Sequence, residues 1–263
     1  MGGPQILLTN DDGIDSTGFR ALYDALSRVG DVVAVAPADD QSAVGRQLSR
    51  SVAVGEHDLG YVVDGTPADC VVAGLEALVP ETDLVVAGCN EGANLGAYVL
   101  GRSGTVSAAV ESAFFDVPAI AVSLYVPVAD DTAFGEVNVA YESFQEATRA
   151  ARHLADHALG AGVFDRADYL NVNAPPAEGG ETGMAITRPS TVYRMRATHD
   201  GDRIELEDEI WSLMAEGEIP DEPGTDRRAV VDGDVSVSPL TAPHTVERHD
   251  ALDDLASTYP DRA

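Results

Sequence analysis

Two adjacent aspartates, Asp11 and Asp12, stand directly after the apolar run Ile6-Leu7-Leu8 and directly before Gly13. Neighbouring carboxylates repel each other, and a hard divalent cation is the usual reason to keep them together. The plainer alternative is that one Asp caps the turn while the other is solvated. A second polar stretch, ADDQSAVGRQLS at residues 38–49, also follows an apolar run. A third, Cys89-Asn90-Glu91-Gly92-Ala93-Asn94-Leu95-Gly96, holds two Asn among its glycines and cannot be helix interior. The fourth is Arg102-Ser103-Gly104-Thr105-Val106, where small residues open a helix whose first N–H groups are free to hold an anion. An ordinary cap is the alternative there. His153 and His157 lie four apart on a helical pattern, but no acidic residue completes a zinc motif, so they read as a solvated face.

The elements that must carry these residues are legible from their periodicity. Residues 6–8 are a continuous apolar run, as expected of a strand buried on both faces of a parallel sheet, and residues 31–37, 83–88, 118–124 and 169–174 read as further strands of the core. Gly13 permits a tight turn after the first of them. Phe19, Leu22, Leu26 and Val29 then recur at helical spacing behind a cap at Ser16 or Thr17. Thr66, Pro67 and Asp69 mark a second helix start. Residues 51–54 and 61–63 read as short strands, and residues 134–159 as one long helix, whole or interrupted. In an open α/β sheet, loops that follow the strands form the ligand crevice. The polar stretches therefore belong to one edge.

Beyond Pro175 the pattern changes. Residues 184–188 and 235–240 predict further strands, and Asp200-Gly201 between residues 192–199 and 203–210 predicts a hairpin. Leu252 and Leu255 suggest a terminal helix. The fold expected is α/β: a Rossmann-like, mostly parallel sheet flanked by helices, with a C-terminal β-hairpin and terminal helix used in oligomer contacts. Residues 1–180 form the catalytic core in this reading, and residues 181–263 an arm that completes it and supplies the interface.

Composition limits the partners. Asp and Glu number 45 against 16 cations, for a net charge of −29, and every cation is Arg. Such charge destabilises a compact state at ordinary salt, but at molar salt the Debye length falls to about 3 Å and the repulsion is screened. A halophile's salt-filled cytoplasm fits. Duplex nucleic acid does not fit, because no basic stripe could replace its counterions. No apolar run reaches the roughly 18 residues that span a bilayer, and the start MGGPQ carries no signal-peptide pattern. A cytoplasmic protein with no membrane partner is expected. Cys70 and Cys89 provide neither a disulfide framework nor zinc spacing.

Taken together, ILLTNDDGI at residues 6–14, VAPADDQSAVGRQLS at 35–49, GTPADC at 65–70 and VAGCNEGANLGAYVLGRSGTVSAA at 86–109 resemble the stationary-phase survival protein family, SurE. Weaker echoes are LNVNAP at 170–175 and GTDRRAVVDGDVSVSPL at 224–240. The resemblance implies a metal-dependent phosphatase that hydrolyses nucleoside monophosphates, a 5′-nucleotidase with 3′-nucleotidase or exopolyphosphatase side activities. It implies one divalent cation per subunit, Mg²⁺ or Mn²⁺, held by Asp11, Asp12, Ser42 and Asn90. It implies catalytic roles for Asp11 and Asp12, and a phosphate pocket lined by Asn94, Ser103, Gly104 and Thr105. It is consistent with a homodimer or homotetramer. Three positions depart from the family's common pattern: Gln41-Ser42-Ala43 replaces arginine-serine-glycine, Cys89 replaces Ile, and Arg102 replaces Tyr. They put substrate preference in question. A receiver-like phosphoacceptor domain would be nearer 120 residues and carry a Lys. A dinucleotide-binding oxidoreductase would show G-x-G-x-x-G after the first strand, which residues 9–18 lack.

Overall fold

The computed structural model describes residues 3–127, 139–176 and 182–242. Its strands are β1 (Gln5–Thr9), β2 (Asp31–Pro37), β3 (Ala53–His57), β4 (Gly60–Asp64), β5 (Leu84–Glu91), β6 (Ala119–Leu124), β7 (Tyr169–Ala174), β8 (Met184–Ile186), β9 (Met195–Asp200), β10 (Arg203–Asp208) and β11 (Val235–Leu240). Nine form one sheet in the order β3-β4-β2-β1-β5-β6-β7-β11-β8. The six strands from β4 to β7 in that order are parallel. The edge strand β3 and the β11–β8 pair run against them. β9 and β10 form a separate hairpin.

Each central strand is apolar on both faces because helices cover both. On one side, Ile6 and Leu8 of β1 pack with Phe19 and Leu22 of α1 (Thr17–Leu26). On the other, Leu7 packs with Val71 of α2 (Pro67–Ala73) and its neighbours. The Ser16 Oγ accepts the Phe19 N–H and fixes where α1 begins, and Thr66 with Asp69 closes a capping box on α2. Two further elements follow β5: the single turn α3 (Ala97–Leu100) and α4 (Gly104–Ala113). α6 (Ile210–Glu216) follows the hairpin, and α7 (Asp226–Val231) precedes β11.

The long helix expected over residues 134–159 is shorter. Within the described residues, a 3₁₀ turn (Tyr141–Phe144) leads into α5 (Gln145–His157), and Ala140 before it is extended. The fully buried Phe144 anchors that junction in the core beside α1. Residues 134–138, and the terminal helix expected around Leu252 and Leu255, lie outside the described residues. The strand expected over residues 83–88 runs on to Glu91, with a register shift between Ala87 and Asn90 where it meets β6. That irregularity brings Asn90 opposite Ser123 at the end of the ladder. His153 and His157 are exposed and lie side by side, ring centroids 4.6 Å apart, with the His157 Nδ1 2.8 Å from the His153 carbonyl. Cys70 and Cys89 are both buried and unpaired.

Candidate functional site

The chain leaves β1 in one direction to build β2 and β4, then returns to add β5 on the other side. Ligands in open α/β sheets bind at such a reversal, outside the carboxyl ends of the strands. A cleft of about 850 Å³ opens there. Asp11, Asp12, Ser42, Asn90, Asn94 and Ser103 all line it; Gly104 and Thr105 are not among its lining residues.

Asp11 is 3% exposed. Its Oδ1 accepts the Thr105 hydroxyl at 2.6 Å, and the Thr105 backbone N–H adds a second bond. Gly104 makes the approach feasible: a Cβ there would fall 2.7 Å from Asp11 Oδ2. The start of α4 is thus aimed at a protein carboxylate, which the helix dipole favours. Ser103 caps that helix, its Oγ accepting the Val106 N–H at 3.1 Å. The four residues expected at the phosphate therefore divide: Asn94 and Ser103 line the cleft, while Thr105 bonds Asp11 and Gly104 leaves room for it.

Asp12 is less tied: among the described residues its one donor is the Glu91 N–H at 3.2 Å. Burial, and then the Asp11 charge beside it, push the Asp12 carboxyl up to about 8. Burial also raises Asp11 above the ordinary carboxylate range, against the pull of Thr105. Asp40 raises both, and Glu91 raises Asp12. At neutral pH this group of acids is short of countercharge.

Ser42 comes from the loop after β2, which is fastened to the first loop by the Gln41 N–H on the Asp11 carbonyl at 2.7 Å. Its hydroxyl donates to Asp40 Oδ1 at 2.6 Å, which leaves its lone pairs available. Asn90 donates its Nδ2 to the Gly92 carbonyl at 2.5 Å, leaving Oδ1 as the atom it can offer a ligand. Asn94 is buried in a polar network. Its N–H reaches Asn173 Oδ1 at 2.7 Å, its Nδ2 reaches Ser123 Oγ at 2.9 Å, and its carbonyl accepts from Asn171.

Asp40 and Glu91 were not singled out from the sequence, and both line the cleft. A signal for Asp40 was present, because an Asp two residues before a Ser in a strand-following loop forms an Asx-type turn. Part of the lining was not foreseen. Tyr98 of α3, Met195 and Leu206 from the hairpin, and Trp211 from α6 also line the cleft. The hairpin reaches over the site because Asp208, at its end, accepts the Tyr98 hydroxyl.

A family model described as "Survival protein SurE" matches residues 6–196 of this chain. The 5′-nucleotidase SurE of Haloarcula marismortui is 68% identical over 259 residues, covering 98% of this chain and 96% of that protein. The 5′-nucleotidase SurE of Natronomonas pharaonis is 66% identical, covering 97% of this chain and 99% of its own length. The crystal structure of the SurE protein from Aquifex aeolicus superimposes with a TM-score of 0.76 at 34% identity, covering 97% and 98% of the two chains.

Proposed function

The chain belongs to the survival protein SurE family, and on that premise we propose that the cleft at the β1–β5 reversal is where it acts as a 5′-nucleotidase. The protein hydrolyses nucleoside monophosphates to nucleoside and phosphate. The receiver-like and oxidoreductase readings are not favoured by such relatives. The observation that carries the assignment of the site is the convergence of Asp11, Asp12, Ser42, Asn90, Asn94 and Ser103 on one cleft from four separate stretches of the chain.

Nucleotidases of this family are generally metal-dependent. The residues present fit a hard divalent cation. Asp11, Asp12, Ser42 and Asn90 offer only oxygen, which suits Mg²⁺ or Mn²⁺ over zinc. The raised carboxyls mark a place where positive charge is wanted. One such cation per subunit is our reading. When bound, it supplies charge against the phosphoryl oxygens and acidifies a nearby water.

The chain's own residues divide the remaining work. Thr105 and Gly104 hold Asp11 in place, so Asp11 is a fixed carboxylate. Among the described residues Asp12 Oδ1 has no hydrogen-bond partner, and Asp12 is the group we assign to take the proton of the attacking water. Asn94 and Ser103 line the cleft; the Ser103 hydroxyl, which accepts the Val106 N–H, keeps its own proton to donate to the ester, while Asn94 fixes the loop after β5 through Asn173 and Ser123. The hairpin and α6 shield the ester from bulk water.

The test is turnover of a nucleoside monophosphate in molar KCl, with Mn²⁺ or with chelator. We expect chelator to abolish phosphate release; equal release in both would refute a metal requirement. Stability reports on the same site. An acid whose folded pKa lies above its unfolded value keeps its proton on folding, so the folded state loses ground as pH rises through the window between them. For Asp12 that window runs from about 4 to about 8. Metal-free protein should therefore lose roughly 2–5 kcal/mol relative to its Asp12→Asn variant between pH 4 and pH 8. Urea melts at the two pH values check this, and parallel pH profiles for the two proteins would contradict it.

A further inference from the structure

The charge lining the cleft is lopsided. Asp11, Asp12, Asp40, Glu91, Glu207 and Asp208 face it, and Arg102 is the one cation among its lining residues. A phosphomonoester is a dianion near neutral pH, so this wall repels the substrate wherever no cation offsets it. Arg102 sits next to Ser103, between α3 and α4. Its backbone is pinned by its N–H on the Val99 carbonyl at 2.8 Å and by its carbonyl accepting the Gly45 N–H at 3.2 Å. Its guanidinium carbon lies 5.3 Å from the centroid of the Tyr98 ring, and its Nη2 is 3.5 Å from the Tyr193 hydroxyl. Tyr98 and Tyr193 are themselves packed edge to face, centroids 4.9 Å apart, and Asp208 holds the Tyr98 hydroxyl. The guanidinium thus rests on an aromatic pair that restricts its rotamers.

Arg102 also makes no ion pair among the described residues. In a chain with net charge −29, an exposed arginine on an acid-lined wall would readily take a carboxylate partner. Here the aromatic support holds it, and most of its five N–H donors are uncommitted. Planar guanidinium matches phosphoryl oxygens in a two-pronged fashion that no other side chain reproduces.

We propose that Arg102 is a specificity-determining residue that binds the phosphoryl oxygens of the substrate from the turn between α3 and α4, supplying the cation that the acidic lining of the cleft lacks. This rests on the nucleotidase reading of the same cleft. Arg102 selects for the dianionic phosphate and is indifferent to the base. Its contribution is to ground-state and transition-state binding alike, so it acts on KM.

The experiment compares wild type with Arg102→Gln and Arg102→Lys at saturating Mn²⁺ in molar KCl. Two substrates are used, adenosine 5′-monophosphate and the base-free ester ribose 5-phosphate, and kcat and KM are separated. Binding of inorganic phosphate is measured by calorimetry in parallel. R102Q should raise KM about tenfold for both esters and weaken phosphate binding to the same degree, the scale of one hydrogen bond to a charged group, with kcat within about twofold. R102K should recover part of the loss. An unchanged KM for both esters overturns the proposal. So does a loss confined to the nucleotide, which would make Arg102 a base contact, or a fall in kcat at constant KM. If wild type cleaves neither ester, the nucleotidase reading fails, and the phosphate titration still decides whether Arg102 grips phosphate.

Discussion

Replacing Asp12 with asparagine should lower kcat/KM for nucleoside monophosphate hydrolysis by about a thousandfold, the scale of losing a positioned proton acceptor. The expectation follows from how differently the two aspartates are held. Asp11 is 3% exposed and its carboxylate is engaged by the Thr105 hydroxyl and N–H. Among the described residues Asp12 has one donor, the Glu91 N–H, and it lines the open cleft. Asparagine keeps the shape and can still accept from Glu91, but it cannot take a proton. The fold should survive, because removing a charge from a crowded acidic site relieves repulsion. Initial rates at saturating Mn²⁺, with circular dichroism to confirm the fold, provide the check. Activity within a few-fold of wild type would remove Asp12 from the chemistry.

The second large effect is on stability. Arg227 on α7 is fully buried. Its Nη1 bonds the Val192 carbonyl at 3.0 Å and lies 3.5 Å from Asp221, which is equally buried. Its ring partner is again Tyr98, 5.3 Å away. The neighbouring Asp226 accepts the N–H groups of Gly96 at 2.7 Å and Ser190 at 2.9 Å, so this unit ties the glycine-rich loop to the C-terminal part of the sheet. Arg227→Met keeps much of the volume and strands Asp221 without its partner. Breaking a buried pair from one side costs about 3–5 kcal/mol. Urea melts in molar KCl should show a loss of that size. A change below about 1 kcal/mol, within the range of an exposed pair, would mean that Arg227 is not buried as described.

The central sheet was legible because burial on both faces leaves short, largely apolar runs, as in β1 and β2, although β7 carries the buried Asn171 and Asn173 among its apolar residues. Helix starts were legible where a cap has local chemistry, as at Ser16, Thr66 and Ser103. The polar loops could be placed at one edge by their position after strands. Contacts made across the chain were hidden. Nothing local to Thr105 says that its hydroxyl reaches back 94 residues to Asp11. Likewise, Arg227 reads as an ordinary surface cation until Asp221 and Tyr98 are folded around it. Helical periodicity before residue 145 misled because Phe144, at helical spacing, is buried at a 3₁₀ turn. The hairpin's alternation was readable, but its approach over the cleft depends on Tyr98 and Asp208 meeting from distant parts of the chain.

The central claim is that four oxygen donors from three loops hold one divalent cation beside the phosphate. Anomalous diffraction from crystals grown with Mn²⁺ and inorganic phosphate tests it most directly. The account predicts one strong peak per chain, in bonding contact with Asp11, Asp12, Ser42 and Asn90 and adjacent to the phosphate. A peak that excludes Asp11 and Asn90, or Mn²⁺ bound only at other surface carboxylates, would contradict it.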